Sequence, residues 1–326
     1  MVRSYAVAAP PLRRGVVLFT ATVILAVSSA ASSIDAADRF PLAMRDDRGV
    51  TVRLPSPPRR VVSLAPSLTE TVFLLGKGSL LAGVTRYCNF PASAASLPKV
   101  GGVTDPDVER IVALSPDIVL CTTDGNPRGK VAALEEMGIP CFATAPQDLQ
   151  SVFSTIERLG ALLGDSSRGR SEAAALRRRA DRVSRAAGRR GSGSAPSVLF
   201  VVSTSPVIVA GNGTFMDELV RTAGGRNAAA GHVGRYPRLS IEDLVAARPD
   251  VIFVAGMAGV ERFPEETTRW REVPAFRYKA VYTLDGDLVT RPGPRMVTAL
   301  EEISGYLSVW AARPGESNTG RDGSKR

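Results

Sequence analysis

The sequence predicts an α/β fold of two similar lobes, each built on a parallel sheet. One phrase occurs twice: DVERIVALSPDIVL over 107–120 and SIEDLVAARPDVIF over 240–253, at an offset of 133 residues from Glu109 to Glu242. The offset also aligns Val112 with Val245, Ala113 with Ala246, Pro116 with Pro249 and Asp117 with Asp250. Solenoid repeats recur every 20–50 residues or so, hence this spacing means duplicated lobes. Short apolar runs alternate with helical segments in both halves, the pattern of a parallel sheet with helices on both faces. Between the halves, Ser171 to Ala187 is rich in Ala, Arg and Leu without Gly or Pro, and reads as helix.

Residues 1–31 read as an export signal. Arg13-Arg14 is its positive region, Val16 to Val27 its apolar core, and Ser28-Ser29-Ala30-Ala31 its small-residue cleavage site. The apolar core falls short of the roughly 20 residues that span a bilayer. The first cysteine is Cys88, leaving no lipid attachment site near the cleavage point. The mature chain is therefore expected to be soluble and outside the cytoplasm, by the general or the twin-arginine route.

Phe40 to Leu54 predicts a hairpin around Asp47-Arg48-Gly49. Val61 to Ala65 predicts a strand, and Ser67 with Glu70 has capping-box spacing for a helix ending at Gly76. Strand Leu80 to Thr85 follows, then a helix capped by Asp105 or Asp107 and closed by Pro116-Asp117. Strand Ile118 to Cys121, helix Gly129 to Met137 and strand Pro140 to Ala143 come next, with an amphipathic helix over Gln147 to Leu163. After the arginine-rich helix, Gly188 to Pro196 reads as a flexible joint. The second lobe predicts strand Val198 to Val202, helix Phe215 to Ala223 stopped by Gly224-Gly225, and helix Ile241 to Ala247. Strands Val251 to Val254 and Ala280 to Leu284 and a last helix, Arg295 to Trp310, complete it. The tail 313–326 is polar and predicted to be disordered.

The net charge of +9 suggests nucleic acid, but its distribution does not. Residues 168–190 hold nine arginines against Glu172 and Asp181, and the two ends add five more positive charges. What remains carries −3, so the lobes are slightly acidic and the basic excess reads as a solvated helix face rather than a nucleic-acid surface. Cys88, Cys121 and Cys141 include no CxxC, and with one histidine they form no metal site; a Cys88–Cys121 disulfide is open in an oxidising compartment.

No GxSxG, HExxH or phosphate-loop motif is present, and His232 has no motif-type partner, so an enzyme is disfavoured. Gly211-Asn212-Gly213 lacks the third glycine of a dinucleotide fingerprint. Asn212-Gly213-Thr214 is a glycosylation sequon that turn chemistry explains equally well. Glu109 and Glu242 each lie two residues beyond a capping residue, Asp107 and Ser240. The helix dipole stabilises an acid there by about 0.3–1 kcal/mol, which accounts for either one singly. Two at equivalent positions suggest a matched pair of contacts. Open α/β sheets bind ligands in the loops after their strands. Here those loops carry Ser63 to Ser67, Arg86 to Phe90, Thr122 to Asn126, Ser203 to Pro206, Arg235 to Pro237 and Asp285 to Arg291. Their tyrosines combine an apolar face with a polar tip, and their arginines a fork for carboxylate or phosphate.

Taken together, several segments resemble the class III periplasmic substrate-binding proteins of ABC importers, which bind cobalamin, haem or ferric siderophores. They are Asp46 to Gly49, Leu54-Pro55, Arg60 to Glu70, Tyr87-Cys88-Asn89-Phe90-Pro91, Gly125-Asn126 and the two glutamate helices. The cobalamin branch is the most similar, over roughly 40–310. The resemblance implies two Rossmann-like lobes with central parallel sheets, 40–164 and 195–312, joined by a single long α-helix within 165–190. A rigid helix of this kind limits closure to small lobe motions. The resemblance also implies a monomer with cobalamin or a related corrinoid as its cargo, not a cofactor, and an ABC permease dimer with its ATPase as partner. Tyr87, Tyr236, Asp287 and Arg291 match ligand-contacting positions. Glu109 and Glu242 match the acids that dock on arginine pockets of the permease, one per subunit. Two tryptophan positions of the cobalamin branch fall here at Val103 and near Thr122, and aromatic content is 6%, which weakens ring stacking. A ferric siderophore or haem is the alternative cargo. A metal-ion binding protein of the two-lobe type and an α/β enzyme are remoter readings, the former short of histidines.

Overall fold

The predicted hairpin forms from β1 (Leu42–Arg45) and β2 (Thr51–Leu54), paired antiparallel. Its turn is held by the buried carboxylate of Asp46, which accepts the backbone N–H groups of Arg48 and Val50 at 2.9 and 3.0 Å. The computed structural model describes residues 40–190, 195–256 and 272–313, all within one compact unit, Asp35–Arg326. The predicted export signal, part of the predicted joint (191–194) and the tail beyond 313 lie outside the described residues.

The first lobe alternates strand and helix: β3 (Val61–Ser63), α1 (Pro66–Leu74), β4 (Leu81–Val84), α2 (Val108–Ala113), β5 (Ile118–Thr122), α3 (Arg128–Glu136) and β6 (Cys141–Thr144). Its strands are all parallel, in the spatial order β4-β3-β5-β6. Next come α4 (Leu149–Leu162) and the long α5 (Ser166–Arg189), about 36 Å at 1.5 Å per residue. The second lobe runs β7 (Ser197–Thr204), β8 (Val207–Val209), α6 (Phe215–Thr222), β9 (Arg226–Asn227), α7 (Ile241–Ala247) and β10 (Val251–Gly256). It closes with α8 (Pro274–Arg277), β11 (Val281–Asp285), α9 (Gly286–Thr290) and α10 (Met296–Ala311). Strand β7 pairs in parallel with β10, and β11 lies beyond; on its other side it meets β9 in parallel and β8 antiparallel.

The two lobes repeat one plan. In each, the first strand is central and the last two lie on one side of it; the other side holds β4 in the first lobe and β8 with β9 in the second. Strands β5 and β10 begin at Ile118 and Val251, at the offset of the repeated phrase. The turn before each has the same left-handed residue, Ser115 at φ 45° and Arg248 at φ 42°. The repeated aspartates do one job: Asp117 accepts the N–H groups of Arg59 and Arg60 at 2.6 and 2.8 Å, and Asp250 that of Ser197 at 2.7 Å. Each thereby satisfies the backbone where the central strand of its lobe begins.

The strands read as unbroken apolar runs because both faces are covered. Val62, Leu64, Val119 and Cys121 pack under α2 and α3, while Leu199, Val201, Ile252 and Val254 pack near α7. The alternate residues, Val61, Ile118, Leu120, Val198, Phe200 and Phe253, join α4, α5, α6 and α10 in one core that runs through both lobes.

One expectation needs correction, and the structure adds two points that the sequence left open. The capping box of Ser67 and Glu70 does not form. Pro66 occupies the first helical turn, where its missing N–H costs nothing, so α1 starts earlier and carries both residues inside it. Strands β8 and β9 and helices α8 and α9 are not predicted by the sequence, being only 2 to 5 residues long. Cys88 and Cys121 are not bridged; all three thiols are free, and those two sit in separate cores. Burial pushes the Cys121 thiol up to about 12 and Cys141 upward as well.

Helices α4 and α5 cross through a glycine pair. A Cβ on Gly160 would stand 2.6 Å from the Gly169 Cα. Gly160→Val is therefore expected to destabilise the protein by about 1–3 kcal/mol, read as a lower midpoint in urea unfolding. An unchanged midpoint would mean that the close crossing is not needed.

Candidate functional site

Asn126, only 5% exposed, organises the strand-end loops of the first lobe. Its amide donates to the carbonyls of Leu64 (3.1 Å) and Val103 (2.8 Å), and its oxygen accepts the Thr122 N–H at 2.8 Å. Those bonds gather the ends of β3 and β5 and the segment that follows β4. They also bring together Val103 and Thr122, the two positions without the expected rings; a Cβ on Gly125 would meet both side chains, at 2.8 and 3.0 Å. Small residues therefore line this part of the first lobe.

The lobes meet along a polar seam at the C-terminal ends of their strands. Its fixed point is Glu70 on α1, whose side chain is 2% exposed. Arg295, at the start of α10, donates to both carboxylate oxygens, at 2.9 and 2.7 Å. The hydrogen bonds to Glu70 hold the Arg295 pKa above its ordinary value, against the opposing effect of burial. Arg291 approaches Glu70 at 3.5 Å, pairs with Asp287 at 2.6 Å and donates to the Asn89 side chain at 2.7 Å. The Asn89 amide returns a bond to Asp287 at 2.8 Å. Close backbone approach makes this possible: a Cβ on Gly293 would lie 3.0–3.4 Å from three atoms of Ser67.

Two further contacts cross between the lobes. Arg235 donates to Gln147 at 3.0 Å, and the Leu149 N–H donates to Glu218 at 2.9 Å. Burial raises the Glu218 pKa, partly offset by that hydrogen bond.

Of the four predicted ligand residues, Asp287 and Arg291 thus stand together, bonded to each other and to Asn89. Tyr87 follows β4, is 52% exposed and has the Arg86 guanidinium 5.5 Å from its ring centroid. Tyr236, between β9 and α7, is 51% exposed. Phe90 lies on the same loop as Tyr87, 45% exposed, with Arg295 4.3 Å from its ring centroid. Sequence reading missed Glu70 and Arg295 as a pair, for nothing local joins residues 225 apart. The one available signal was a glutamate among Thr69, Thr71 and Val72 on a helix that buries all three.

A separate cavity of about 680 Å³ lies within the first lobe, lined by Asp47, Arg48, Thr122, Asp124, Arg128 and Glu135 among others. None of the predicted ligand residues lines it. Arg48 is already paired there with Asp46 and Glu135, at 2.7 and 2.8 Å.

Glu109 and Glu242 occupy the same helical position, second after the N-cap of α2 and α7, and both are exposed. Neither is needed as a cap, since Asp107 accepts the Arg110 N–H and Ser240 accepts the Asp243 N–H, each at 3.1 Å. Their surroundings differ: Arg110 folds back onto Asp107 at 2.9 Å, whereas Glu242 stands beside Asp243. Among the described residues no group of three or more His, Cys, Asp or Glu could hold a metal ion, and no helix is long and apolar enough to cross a membrane.

Residues 61–288 match the periplasmic binding protein family. A vitamin B12-binding protein of Vibrio parahaemolyticus is 29% identical over 248 residues, covering 76% of this chain and 88% of that protein. An uncharacterised ABC transporter substrate-binding lipoprotein of Bacillus subtilis is 29% identical over 270 residues, 81% of this chain and 85% of its own. Among solved structures, the periplasmic vitamin B12 binding protein of Vibrio cholerae aligns with TM-score 0.68 and 27% identity over 79% of this chain and 99% of that one. A periplasmic haem-binding protein from Roseiflexus, in its apo form, aligns with TM-score 0.71 and 29% identity over 78% and 99%.

Two outcomes follow from the seam. Arg295→Ala leaves a buried carboxylate with only the looser 3.5 Å approach of Arg291 and is expected to cost about 3–5 kcal/mol of unfolding free energy. Asn89→Ala, at an exposed hydrogen bond, should cost about 1 kcal/mol. Equal losses in urea unfolding would sink this ranking. Glu218, with its pKa raised by folding, contributes stability at acid pH that is lost as pH rises through and above the usual carboxylate range. The melting temperature of Glu218→Gln should therefore rise relative to the parent as pH is raised through and above the usual carboxylate range. A difference that is flat with pH would contradict it.

Proposed function

The chain belongs to the periplasmic binding protein family, and on that premise we propose that it captures cobalamin or a related corrinoid between its lobes and delivers it to an ABC importer. The observation that carries the reading is the meeting of Asp287 and Arg291 with Asn89 across the seam. It gathers charge and hydrogen-bonding groups from both lobes at the strand ends, where open α/β sheets bind ligands. Exposed tyrosines, Tyr87 and Tyr236, provide apolar faces with polar tips for a large amphipathic ring. The likeness to vitamin B12-binding proteins over most of both chains supports the cargo class.

In this reading the cargo trades contacts with the polar cluster. Amide and phosphate groups on its rim take hydrogen bonds now exchanged among Asn89, Asp287 and Arg291. Glu70 and Arg295 stay paired as the floor, and the shared core holds the lobes near their present spacing. Glu109 and Glu242 are the docking acids, one for each subunit of a permease dimer with its ATPase. Their support is positional. Two other repeated positions shape the backbone, the turn at Ser115 and Arg248 and the bonds of Asp117 and Asp250. The glutamates are exposed at matching sites beside caps already made. Residues 1–31 direct export, and the mature protein works as a monomer in the periplasm.

Haem or a ferric siderophore is the second reading. The small residues at Val103 and Thr122 favour it, as does the likeness to a haem-binding protein. Calorimetric titration of the purified protein with cyanocobalamin, haemin and ferric siderophores separates the readings. Tight binding of cyanocobalamin is expected; silence with it beside tight binding of another ligand would overturn the first choice. Glu109→Ala with Glu242→Ala should abolish uptake while cargo affinity stays unchanged, and loss of cargo binding in that variant would mean the acids serve the ligand.

A further inference from the structure

We propose that the outward face of α5 is a contact surface for a membrane rich in acidic phospholipid headgroups. Arg178, Arg182, Arg185 and Arg189 follow one another along this 24-residue helix. At 100° per residue they share one stripe about 60° wide and about 16 Å long. That stripe lies opposite the buried side, which holds Gly169, Ala173, Leu176, Ala180 and Val183. All four arginines are exposed.

Their neighbours on the helix are already engaged. On one flank Arg177 pairs with Glu157 of α4 at 2.6 Å, and on the other Arg179 pairs with Glu301 of α10 at 2.7 Å. These pairs dock α5 onto the protein. The stripe adds to this only through the attraction of Arg182 for Glu301. Among the described residues Arg178, Arg182 and Arg189 make no ion pair, and Arg185 reaches only Asp181, at 3.8 Å with both side chains more than half exposed. Like charges four residues apart destabilise a helix, so folding alone does not favour the stripe. Nor does solubility, which mixed charges serve as well.

A partner carrying many anionic groups accounts for it. Guanidinium forks bind phosphate through two hydrogen bonds. The four arginines are spread along one exposed helix face, which suits an extended anionic surface rather than a single small anion. Basic residues near an acidic leaflet each add attraction that decays within a Debye length. Adsorption of this kind would hold the protein in the layer where a membrane-embedded partner resides, whatever its cargo.

Cosedimentation with vesicles tests the inference. The parent protein lacking residues 1–31 should bind vesicles of phosphatidylglycerol mixed with phosphatidylcholine, should ignore phosphatidylcholine alone, and should release as salt is raised. The R178Q/R182Q/R185Q/R189Q variant should bind several hundredfold more weakly, about fivefold per arginine, with an unchanged circular dichroism spectrum. Should that variant fail to fold, R182Q and R189Q singly should each weaken binding about fivefold. Equal binding by parent and variant, or no preference of the parent for the acidic vesicles, would overturn the proposal. Binding of the parent to a soluble polyanion such as heparin without vesicle binding would do the same.

Discussion

A single buried carboxylate sets the relation between the lobes. Glu70 is 2% exposed, and a charge so far from water persists only if it is paired and hydrogen-bonded. Arg295 satisfies both of its oxygens and must come from the other lobe to do so. That requirement brings the start of α10 against α1, seats Gly293 on Ser67 and carries Arg291 to Asn89. The polar seam is thus a consequence of one desolvated acid. The continuous core beneath both sheets, threaded by α5, adds a second reason for the lobes to move little.

Much of the fold could be read from the chain because its signals were local. The repeat identified α2 and α7 with the strands that follow them, and the run without Gly or Pro identified α5. Positive-φ Gly76 and Gly224 end α1 and α6 where the sequence put the stops. The misses were short elements whose existence depends on neighbours. β8 is three residues that pair only because β7 runs beside them. α9 is one turn capped by Asp285 in the crossing toward α10. The apparent capping box failed because Pro66 starts the helix one residue before Ser67 and turns Glu70 inward.

The site divides along the same line. Asp287 and Arg291 were found as candidates, and the structure joins them. Asn89 is 198 residues from Asp287, and Glu70 is 225 from Arg295, separations that periodicity cannot bridge. The repeated phrase proved to hold two kinds of residue. Asp117 and Asp250 close the backbone of their own lobes, while Glu109 and Glu242 face outward at equivalent positions. The arginine-rich helix divides likewise: flanking arginines fasten it to α4 and α10, and the outermost stripe is left to solvent.

The most direct test is a crystal structure of the protein with its cargo bound. The account predicts density between Tyr87 and Tyr236, with the bonds among Asn89, Asp287 and Arg291 redirected to the ligand and the Glu70–Arg295 pair intact. Cargo in the first-lobe cavity beside Arg48 and Arg128, with the seam unchanged, would contradict it.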